Sequence, residues 1–310
     1  MSSAPAASVI ICSNRPLENL GPCLESLRNQ SVGGGFEVIV VDNAPIIRAI
    51  PDNVRRIEAK LPLRWGCERQ IGLSNARNLG ARLATGEILA YIDDDVTAER
   101  GWLQNLAEPF VDDHVACVGG AISLSLPVTL PRWYGPALEG WFSRYDPPLG
   151  ISQVADFAEL PYGANLALRR SLWEQLGGFD VSIGRRGRDW AGGEDLEFCL
   201  RAMAAGYSVL RTSAARVLHH ISADRLTMSY LWRVSRQAGL TLARLDPAGS
   251  RAKWMRESLI LLLKSCYPFA NLGADRRLNY LLRSRLFGAA AMRRRPNSRP
   301  AAGPAVLTSA

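Results

Sequence analysis

Short apolar runs alternate with amphipathic stretches in the first hundred residues of the chain. Residues 8–12 and 36–41 are apolar runs, rich in β-branched residues, with the length of buried parallel strands. Between them Pro16 suits the first turn of a helix, and one apolar face recurs at helical spacing, formed by Leu17, Leu20, Leu24 and Leu27. The glycines at 33–35 supply a turn into the second run. This order predicts a β-α-β unit.

The alternation continues as far as residue 93. The pattern predicts a weak strand around residues 54–59, a helix from about 73 to 84, and a strand at 87–92 that ends at Asp93. Buried strands that alternate with helices are typical of an α/β fold, in which a mainly parallel sheet is covered on both faces.

Later segments lose this alternation. Residues 127–160 hold much of the proline and aromatic content without periodicity, which predicts an irregular insertion. A helical pattern resumes at Leu226 and predicts a C-terminal helical extension over residues 226–292. Residues 293–310 are rich in Pro, Ala and Ser, and we expect them to form a disordered tail.

Polar clusters follow three of the predicted strands. They are Ser13-Asn14, Asp42-Asn43 and Asp93-Asp94-Asp95. Because parallel sheets bind ligands at the carboxyl ends of their strands, the three clusters should converge on one edge. The first unit has no Gly-x-Gly-x-x-Gly after its strand, and the chain has no Gly-x-x-x-x-Gly-Lys-[Ser/Thr]. Ordinary dinucleotide dehydrogenases and P-loop enzymes are therefore disfavoured.

Three consecutive aspartates after a buried strand are costly to hold together, because like charges repel and raise one another's pKa. A divalent cation would offset that cost, and a chain with only three histidines favours oxygen-liganded Mg²⁺ or Mn²⁺ over zinc. The alternative is a solvated acidic turn that caps the next helix.

Three further segments of the chain carry candidate chemistry. Glu194 and Asp195 open an amphipathic helix that runs to about residue 205; acids there are normal dipole partners, but the preceding Gly192 and Gly193 leave room for a ligand beside a general base. His219, after a short strand at 207–210, is either an ordinary polar residue or the imidazole that completes a metal site. Arg77, in the helix before the acidic strand, is either a diphosphate ligand or a surface arginine between helices.

These pieces, in this order, resemble the glycosyltransferase family 2 enzymes, which have the GT-A fold with its Rossmann-like sheet. The resemblance covers about residues 8–221. It is carried by Ser8-Val-Ile-Ile-Cys-Ser-Asn-Arg15, Val40-Val-Asp-Asn43, Ala76-Arg-Asn-Leu-Gly80, Gly86-Glu-Ile-Leu-Ala-Tyr-Ile-Asp-Asp-Asp-Val96 and Gly193-Glu-Asp195. Asn14-Arg15 stands where a Tyr-Asn-Arg run is more usual, and the insertion matches no pattern of the family.

The resemblance implies an inverting transfer from a nucleotide-diphosphate sugar to an acceptor hydroxyl on a glycan or lipid-linked acceptor, with Mn²⁺ or Mg²⁺ as cofactor. It implies Asp195 as the base, with Glu194 as the next candidate, and Asp95 and His219 as metal ligands, with His220 less favoured. The remaining candidates would bind the nucleotide: Ser13, Asn14, Arg15, Asp42, Asn43, Arg77, Asp93 and Asp94. The catalytic domain would span residues 1–225, with a nucleotide-binding half at 8–100 and an acceptor half at 101–225.

Two other functions fit part of the pattern. Asp93-x-Asp95-x-Thr97 also matches the nucleophile motif of haloacid-dehalogenase-like phosphatases, but those need a downstream acid pair after a strand and a phosphate-binding lysine. Glu194-Asp195 follows glycines instead, and the lysines, at 60, 253 and 264, follow no suitable strand. An inert sugar-nucleotide-binding module would have no need for Glu194-Asp195.

The placement of charges and cysteines bears on binding partners and on the cellular compartment. The net charge is +8, and residues 271–310 hold eight arginines against one aspartate, so any attraction to a polyanion is confined to the tail and nucleic acid is disfavoured as a partner. The six cysteines form no Cys-x-x-Cys pair, and neither an export signal nor a membrane-spanning run is predicted, which favours the cytoplasm.

The arginine-rich segment has two interpretations. Its apolar residues, Leu278, Leu281, Leu282, Leu286 and Phe287, lie among Arg276, Arg277, Arg283 and Arg285. Such a helix suits peripheral attachment to an anionic membrane surface at the inner face of the membrane. Alternatively, the leucines pack on the catalytic domain and the arginines are solvated.

Overall fold

The computed structural model describes residues 5–185, 192–245, 251–266 and 273–292. Within them a nine-stranded sheet lies between layers of helices. The strands are β1 Ala7–Ser13, β2 Phe36–Asp42, β3 Leu63–Cys67, β4 Ile88–Asp93, β5 Val96–Ala98, β6 Val115–Ser125, β7 Ile151–Gln153, β8 Asn165–Arg169 and β9 Ser208–His220. The helices are α1 Gly21–Leu27, α2 Asp52–Glu58, α3 Leu73–Leu83, α4 Trp102–Ala107, α5 Arg170–Leu176, α6 Glu194–Ala204, α7 Met228–Leu245, α8 Arg251–Cys266 and α9 Ala274–Met292.

The strand order is β3-β2-β1-β4-β8-β6-β9-β5, and β7 pairs with β9 outside this path. The four N-terminal strands are mutually parallel, as the alternation predicts. In the second half β8 is antiparallel to both β4 and β6, whereas β9 is parallel to β6. Ser13 pairs with Asp42, and Cys12 pairs with Asp93, so three strands end at the same edge.

The central strands are apolar on both faces, because each face is covered by helices. One cluster of buried residues joins β1 and β2 to helices α1, α2 and α4, with Leu24 and Trp102 at its centre. The other joins the opposite face to α3 and α6, through Ala76 and Phe198. This two-sided burial explains why these strands read as continuous apolar runs.

Two predicted strands differ in the structure. The prediction of a strand around residues 54–59 is wrong, because this segment is helix α2. Val54 and Ile57 lie three residues apart and therefore share the inward face of the helix. The strand comes later, at β3, where Leu63 and Trp65 alternate toward the core. The short strand expected at 207–210 is the beginning of β9, which runs for 13 residues because β6, β7 and β5 all pair with it.

The insertion packs against the C-terminal helices. Residues 127–160 include β7 and a 3-10 helix, Pro136–Phe142, whose Leu138 and Phe142 are buried with Leu231 of α7 and Leu282 of α9. The ring of Phe142 stacks on that of Tyr230, with centroids 5.8 Å apart and planes 7° apart. The insertion and the helical extension are therefore one packed unit on the side of the sheet that carries the end of β9.

The leucines of α9 face the protein. Leu282 is fully buried, and Leu278 and Phe287 pack against buried clusters, whereas Arg276, Arg277, Arg283 and Arg285 are exposed. Of the two interpretations of this segment, the structure therefore supports packing on the protein. The tail predicted to be disordered, residues 293–310, lies outside the described residues.

Candidate active site

A cavity opens at the edge of the sheet where β1, β2 and β4 end. Eight of the predicted residues line it: Ser13, Asn14, Arg15, Asn43, Asp93, Asp94, Asp95 and His219. Its other walls come from the segment before α3, from Arg185, and from Ser143, Arg225 and Tyr230 of the C-terminal half. The expected convergence of strand ends thus produces one polar cavity.

The three aspartates point to different partners. The Ser13 hydroxyl donates to Asp94 at 2.5 Å, and burial raises the pKa of Asp94 to about 6 although the charge of Arg15 lowers it. Asp93 is one-third exposed, and its Oδ1 lies 3.4 Å from Arg77 Nη2. Asp95 faces the C-terminal half of the molecule. Cationic side chains thus reduce the repulsion expected within the cluster.

Asp95 is the most heavily contacted of the three. Its Oδ2 lies 2.9 Å from Nη2 of Arg15, 2.9 Å from Nη2 of Arg225, and 3.3 Å from Nε2 of His219. Burial alone would raise the pKa of Asp95, but its contact with His219 and the charges of Arg225 and Arg15 hold it well below its usual range. Asp95 is therefore ionised at neutral pH.

Strand pairing explains why His219 reaches Asp95. Val96 at the start of β5 pairs with His219 at the end of β9, which places Asp95 beside the imidazole. Successive residues of a strand point to opposite faces, so His220 turns away, and its Nε2 lies 3.0 Å from the Thr97 hydroxyl on the exposed side. The geometry therefore selects His219 over His220 as a candidate ligand.

The tautomer of His219 follows from its partners. Nδ1 lies 3.0 Å from the Phe142 carbonyl, which can only accept, so Nδ1 carries the proton. Nε2 lies closer to Nη1 of Arg225, at 3.0 Å, than to Oδ2 of Asp95, at 3.3 Å. Because a guanidinium can only donate, we assign the lone pair to Nε2. A neutral imidazole held by a backbone carbonyl, with its second nitrogen facing a carboxylate, is a common arrangement for a metal ligand.

Arg77 and Glu194 form a buried ion pair behind the cavity. Arg77 Nη1 donates to Glu194 Oε1 at 2.6 Å, and both side chains are almost inaccessible to solvent. Burial lowers the pKa of Arg77, but the charges of Glu194 and Asp93 outweigh it and the net shift is upward. Since this guanidinium is held between two carboxylates and is absent from the cavity lining, the structure argues against the expected contact of Arg77 with a diphosphate.

Asp195 is oriented by the backbone of a distant segment. Gly163 N donates to its Oδ2 at 2.6 Å, and Asp195 remains only partly buried. Gly163 must be glycine, because a Cβ there would lie 2.3 Å from Nη2 of Arg77. Gly193 is also needed, for a reason other than ligand access: its φ is +110°, and a Cβ would meet Thr241 of α7 at 2.4 Å.

The residues at the end of β2 are tied down by the protein itself. Asp42 accepts from Nε of Arg48 at 3.1 and 3.2 Å to its two oxygens. Asn43 donates to the carbonyls of Glu68 and Gln70 at 2.9 and 3.0 Å and accepts from Gly72 N at 2.9 Å, which fixes the segment before α3. Asn43 therefore shapes the cavity wall. Any nucleotide that contacts Asp42 would also lie next to the guanidinium of Arg48.

Several residues in or beside the cavity escaped the sequence patterns. They are Arg48, Phe142, Ser143, Arg225 and Tyr230, and they lie in loops, in short 3-10 helices or at the start of α7, where no motif marks them. Arg225 had one weak signal, as a basic residue between the strand that ends at His220 and the next helix. Their positions depend on which surfaces pack together.

The comparison with known families decides the assignment. The sequence profile described as "Glycosyl transferase family 2" matches residues 8–177, more than half of the chain. The chain belongs to glycosyltransferase family 2. It therefore transfers a sugar from a nucleotide sugar, as predicted, and the comparisons give the phosphatase alternative no support.

Two named relatives are similar to most of the chain. The chain is 28% identical over 229 residues to the glucosyl-dolichyl phosphate glucuronosyltransferase of Haloferax volcanii, with 72% of each chain covered. It is 29% identical over 252 residues to the succinoglycan biosynthesis protein ExoM of Rhizobium meliloti, covering 79% of this chain and 77% of ExoM.

Two solved structures share the GT-A fold. The mannosyltransferase PcManGT from Pyrobaculum calidifontis, in complex with GDP-Man and Mn²⁺, aligns over 94% of this chain and 87% of its own at a TM-score of 0.55 and 18% identity. GalNAc-T7 with UDP, GalNAc and Mn²⁺ aligns over 90% of this chain and 55% of its own, at the same TM-score and 16% identity. At these identities the likeness concerns the fold, and the predicted GT-A fold is confirmed.

Proposed function

We propose that this family 2 glycosyltransferase uses a divalent cation, held by Asp95 and His219, and that it inverts the configuration of the transferred sugar. The observation that carries the proposal is the pair itself: an ionised carboxylate and an imidazole lone pair, 3.3 Å apart, on the wall of a cavity that three arginines also line. The solved structures named above contain Mn²⁺ together with a nucleotide.

The donor set fits a cation that is completed by substrate. Among the described residues, no group of three His, Cys, Asp or Glu side chains is arranged to hold a metal ion. Mg²⁺ and Mn²⁺ commonly take only one or two protein ligands and use substrate phosphates for the rest. When bound, such a cation would offset the charge that develops on the leaving diphosphate.

The arginines of the cavity would bind the phosphates directly. Arg15 and Arg225 both line it, and both guanidinium groups reach Asp95. Guanidinium groups bind phosphate oxygens through paired N–H donors, which adds orientation to charge. In this proposal Ser13, Asn14 and Asp42 also contact the nucleotide. Asp93 and Asp94 contact it as well, where the nucleotide-binding half meets the acceptor half.

The acceptor side would depend on Asp195. Its carboxylate takes the proton of the acceptor hydroxyl as that oxygen attacks the anomeric carbon opposite the diphosphate. Gly163 N donates to one carboxylate oxygen at 2.6 Å and Leu196 N to the other at 2.9 Å, which fixes the orientation of the group. Glu194 is neutralised by Arg77 and keeps this part of α6 in place.

Isothermal titration calorimetry with UDP, GDP and dTDP, each with and without Mn²⁺, tests the metal proposal and identifies the preferred nucleobase of the donor. We expect one nucleotide to bind at least tenfold more tightly with Mn²⁺, and Asp95→Asn to remove that gain, because one of two protein ligands is lost. Asp146→Asn, a surface carboxylate outside the cavity, is the control. Nucleotide affinity independent of Mn²⁺ in the wild-type protein would refute the metal proposal.

For the acceptor, we propose a glycan or a lipid-linked glycan, as the names of the relatives suggest. Among the described residues, no helix has the length and apolarity to cross a bilayer. Helix α8 nevertheless exposes a row of apolar side chains along one face: Met255, Leu259, Leu262 and Leu263. Arg256 and Lys264, also exposed, flank this row. An apolar face with basic flanks suits an anionic lipid surface, so we propose α8 rather than α9 as the peripheral contact.

Co-sedimentation with vesicles tests this contact. We expect the protein to bind phosphatidylglycerol vesicles in a salt-sensitive way, and the double substitution Leu259→Ser and Leu263→Ser to weaken that binding at least fivefold, because apolar area is lost from the interface. Leu149→Ser, which changes an exposed leucine elsewhere, is the control. Equal sedimentation of all three proteins would refute the contact, and loss of a dimer on light scattering would assign the face to a second copy.

A further inference from the structure

Arg225 binds the same two atoms that are candidates for metal coordination. One guanidinium nitrogen, Nη1, lies 3.0 Å from Nε2 of His219, and the other, Nη2, lies 2.9 Å from Oδ2 of Asp95. The guanidinium is nearly inaccessible to solvent, so this bridge is a packed feature of the site. Arg225 thus places one positive charge between the carboxylate and the imidazole.

The His219 contact is exclusive. A neutral imidazole with its proton on Nδ1 has a single lone pair, on Nε2. The bond from Nδ1 to the Phe142 carbonyl keeps the proton there, so Nε2 has that lone pair alone to offer. It accepts a hydrogen bond from Arg225 or coordinates a cation, and it cannot do both. The carboxylate of Asp95 has lone pairs for several partners and imposes no such choice.

A displaced guanidinium needs a new anionic partner. Arg225 and Arg15 meet at Asp95 Oδ2, and both line the cavity in which the diphosphate is proposed to bind. A divalent cation at Asp95 would lie beside two guanidinium groups that already neutralise this carboxylate, which is electrostatically unfavourable. A diphosphate supplies the missing negative charge and accepts bonds from a guanidinium that has left Nε2.

We propose that Arg225 competes with the divalent cation for His219 and Asp95, so that the cation binds tightly only together with a diphosphate that accepts the guanidinium. This inference rests on the proposed function, since it assumes the cation site at Asp95 and His219. It makes Arg225 a residue that couples metal binding to nucleotide binding. In the absence of nucleotide the protein therefore binds little metal, and it acquires the cation together with the donor substrate.

Metal titration of the full-length chain tests the coupling. Mn²⁺ binding is followed by electron paramagnetic resonance, with and without the nucleotide diphosphate that binds most tightly. Arg225→Met keeps much of the side-chain length and removes the competing charge. Arg216→Met, which changes an exposed arginine of β9, the strand that carries His219, is the matched control. Thermal unfolding of each variant establishes that it is folded.

We expect Arg225→Met to bind Mn²⁺ at least tenfold more tightly than the wild type without nucleotide. The gain in Mn²⁺ affinity on adding nucleotide should be large in the wild type and at least fivefold smaller in Arg225→Met. Arg216→Met should behave as the wild type does. If Arg225→Met does not fold, Arg225→Gln replaces it, with the same expected direction.

The outcomes separate the two proposals. One outcome is that the wild type and Arg225→Met bind Mn²⁺ with equal affinity, show the same gain from nucleotide, and both lose that gain on Asp95→Asn. This outcome overturns the competition and supports the metal site. Weaker Mn²⁺ binding in Arg225→Met without nucleotide also overturns it, because Arg225 would then assist the cation. An absence of Mn²⁺ binding in every protein, with and without nucleotide, refutes the proposed function itself.

Discussion

Two neighbouring carboxylates at the start of α6 have opposite surroundings. Glu194 points inward and pairs with Arg77 at 2.6 Å, whereas Asp195 is partly exposed and accepts from Gly163 N at 2.6 Å. Burial raises the pKa of Glu194 although the charge of Arg77 lowers it, but this carboxylate is closed off from the cavity and held by Arg77, so it does not reach an acceptor. At the scale of single residues, this contrast separates a positioning residue from a candidate base.

We predict that Asp195→Asn lowers kcat by about 10²- to 10⁴-fold, because the amide keeps the shape of the side chain and cannot take a proton. Nucleotide affinity should change little, since Asp195 does not line the nucleotide cavity. A transfer assay and titration of the nucleotide measure the two effects. Glu197→Gln, on the same helix, controls for loss of charge. Activity of Asp195→Asn within tenfold of wild type would place the base elsewhere.

The buried ion pair also joins elements. Arg77 lies on α3, Glu194 opens α6, and Asp93 ends β4, so one guanidinium connects two helices to the strand edge. Rings of Tyr91 and Phe179 lie 5.9 and 5.8 Å from the guanidinium carbon and exclude water from it. At the scale of elements, the pair sets where the N-terminus of α6, and hence Asp195, lies against the sheet.

Breaking this pair should be costly. We predict that Glu194→Gln lowers the free energy of unfolding by about 3 kcal/mol, because Arg77 is left buried without a full counter-charge. Urea denaturation followed by circular dichroism measures the loss.

The control is Glu197→Gln, which breaks the partly exposed pair of Glu197 with Arg201 on the same helix. It should cost less than about 1 kcal/mol, since such pairs are screened by solvent. Equal costs for the two variants would contradict the role given to the buried pair.

Across the whole molecule, the C-terminal helices support the candidate metal site. Tyr230 of α7 stacks on Phe142, and the Phe142 carbonyl holds Nδ1 of His219. On α9, Asn279 accepts from Nε1 of Trp141 at 2.9 Å, which fixes the same short helix of the insertion. The helical extension is thus connected to the imidazole through a chain of packed side chains.

We predict that Leu282→Ala, in the core between α9 and the insertion, lowers the free energy of unfolding by about 2–5 kcal/mol, because it leaves a cavity in a closely packed cluster. Leu259→Ala, on the exposed face of α8, is the matched control and should cost less than about 0.5 kcal/mol. Urea denaturation compares the two. A loss below 1 kcal/mol for Leu282→Ala would mean that the helical extension is only loosely attached.

The sequence alone determined the parts of this protein that depend on local pattern. Apolar runs of strand length located β1, β2 and β4, and the polar residues after them had to meet at one edge because parallel strands end together. Helical spacing located α1, α3 and α6. The same logic fails at α2: the apolar residues Val54 and Ile57 predict a strand but form a helix, because so short an apolar pattern fits both structures.

The tertiary structure decided which side chains meet. His219 reaches Asp95 across 124 residues of sequence, and Arg77 reaches Glu194 across 117. Arg225 joins the first pair only because β9 pairs with β5 and then turns toward α7. No periodicity records such contacts, because they depend on how whole surfaces pack and on the few directions in which a buried charge finds a partner.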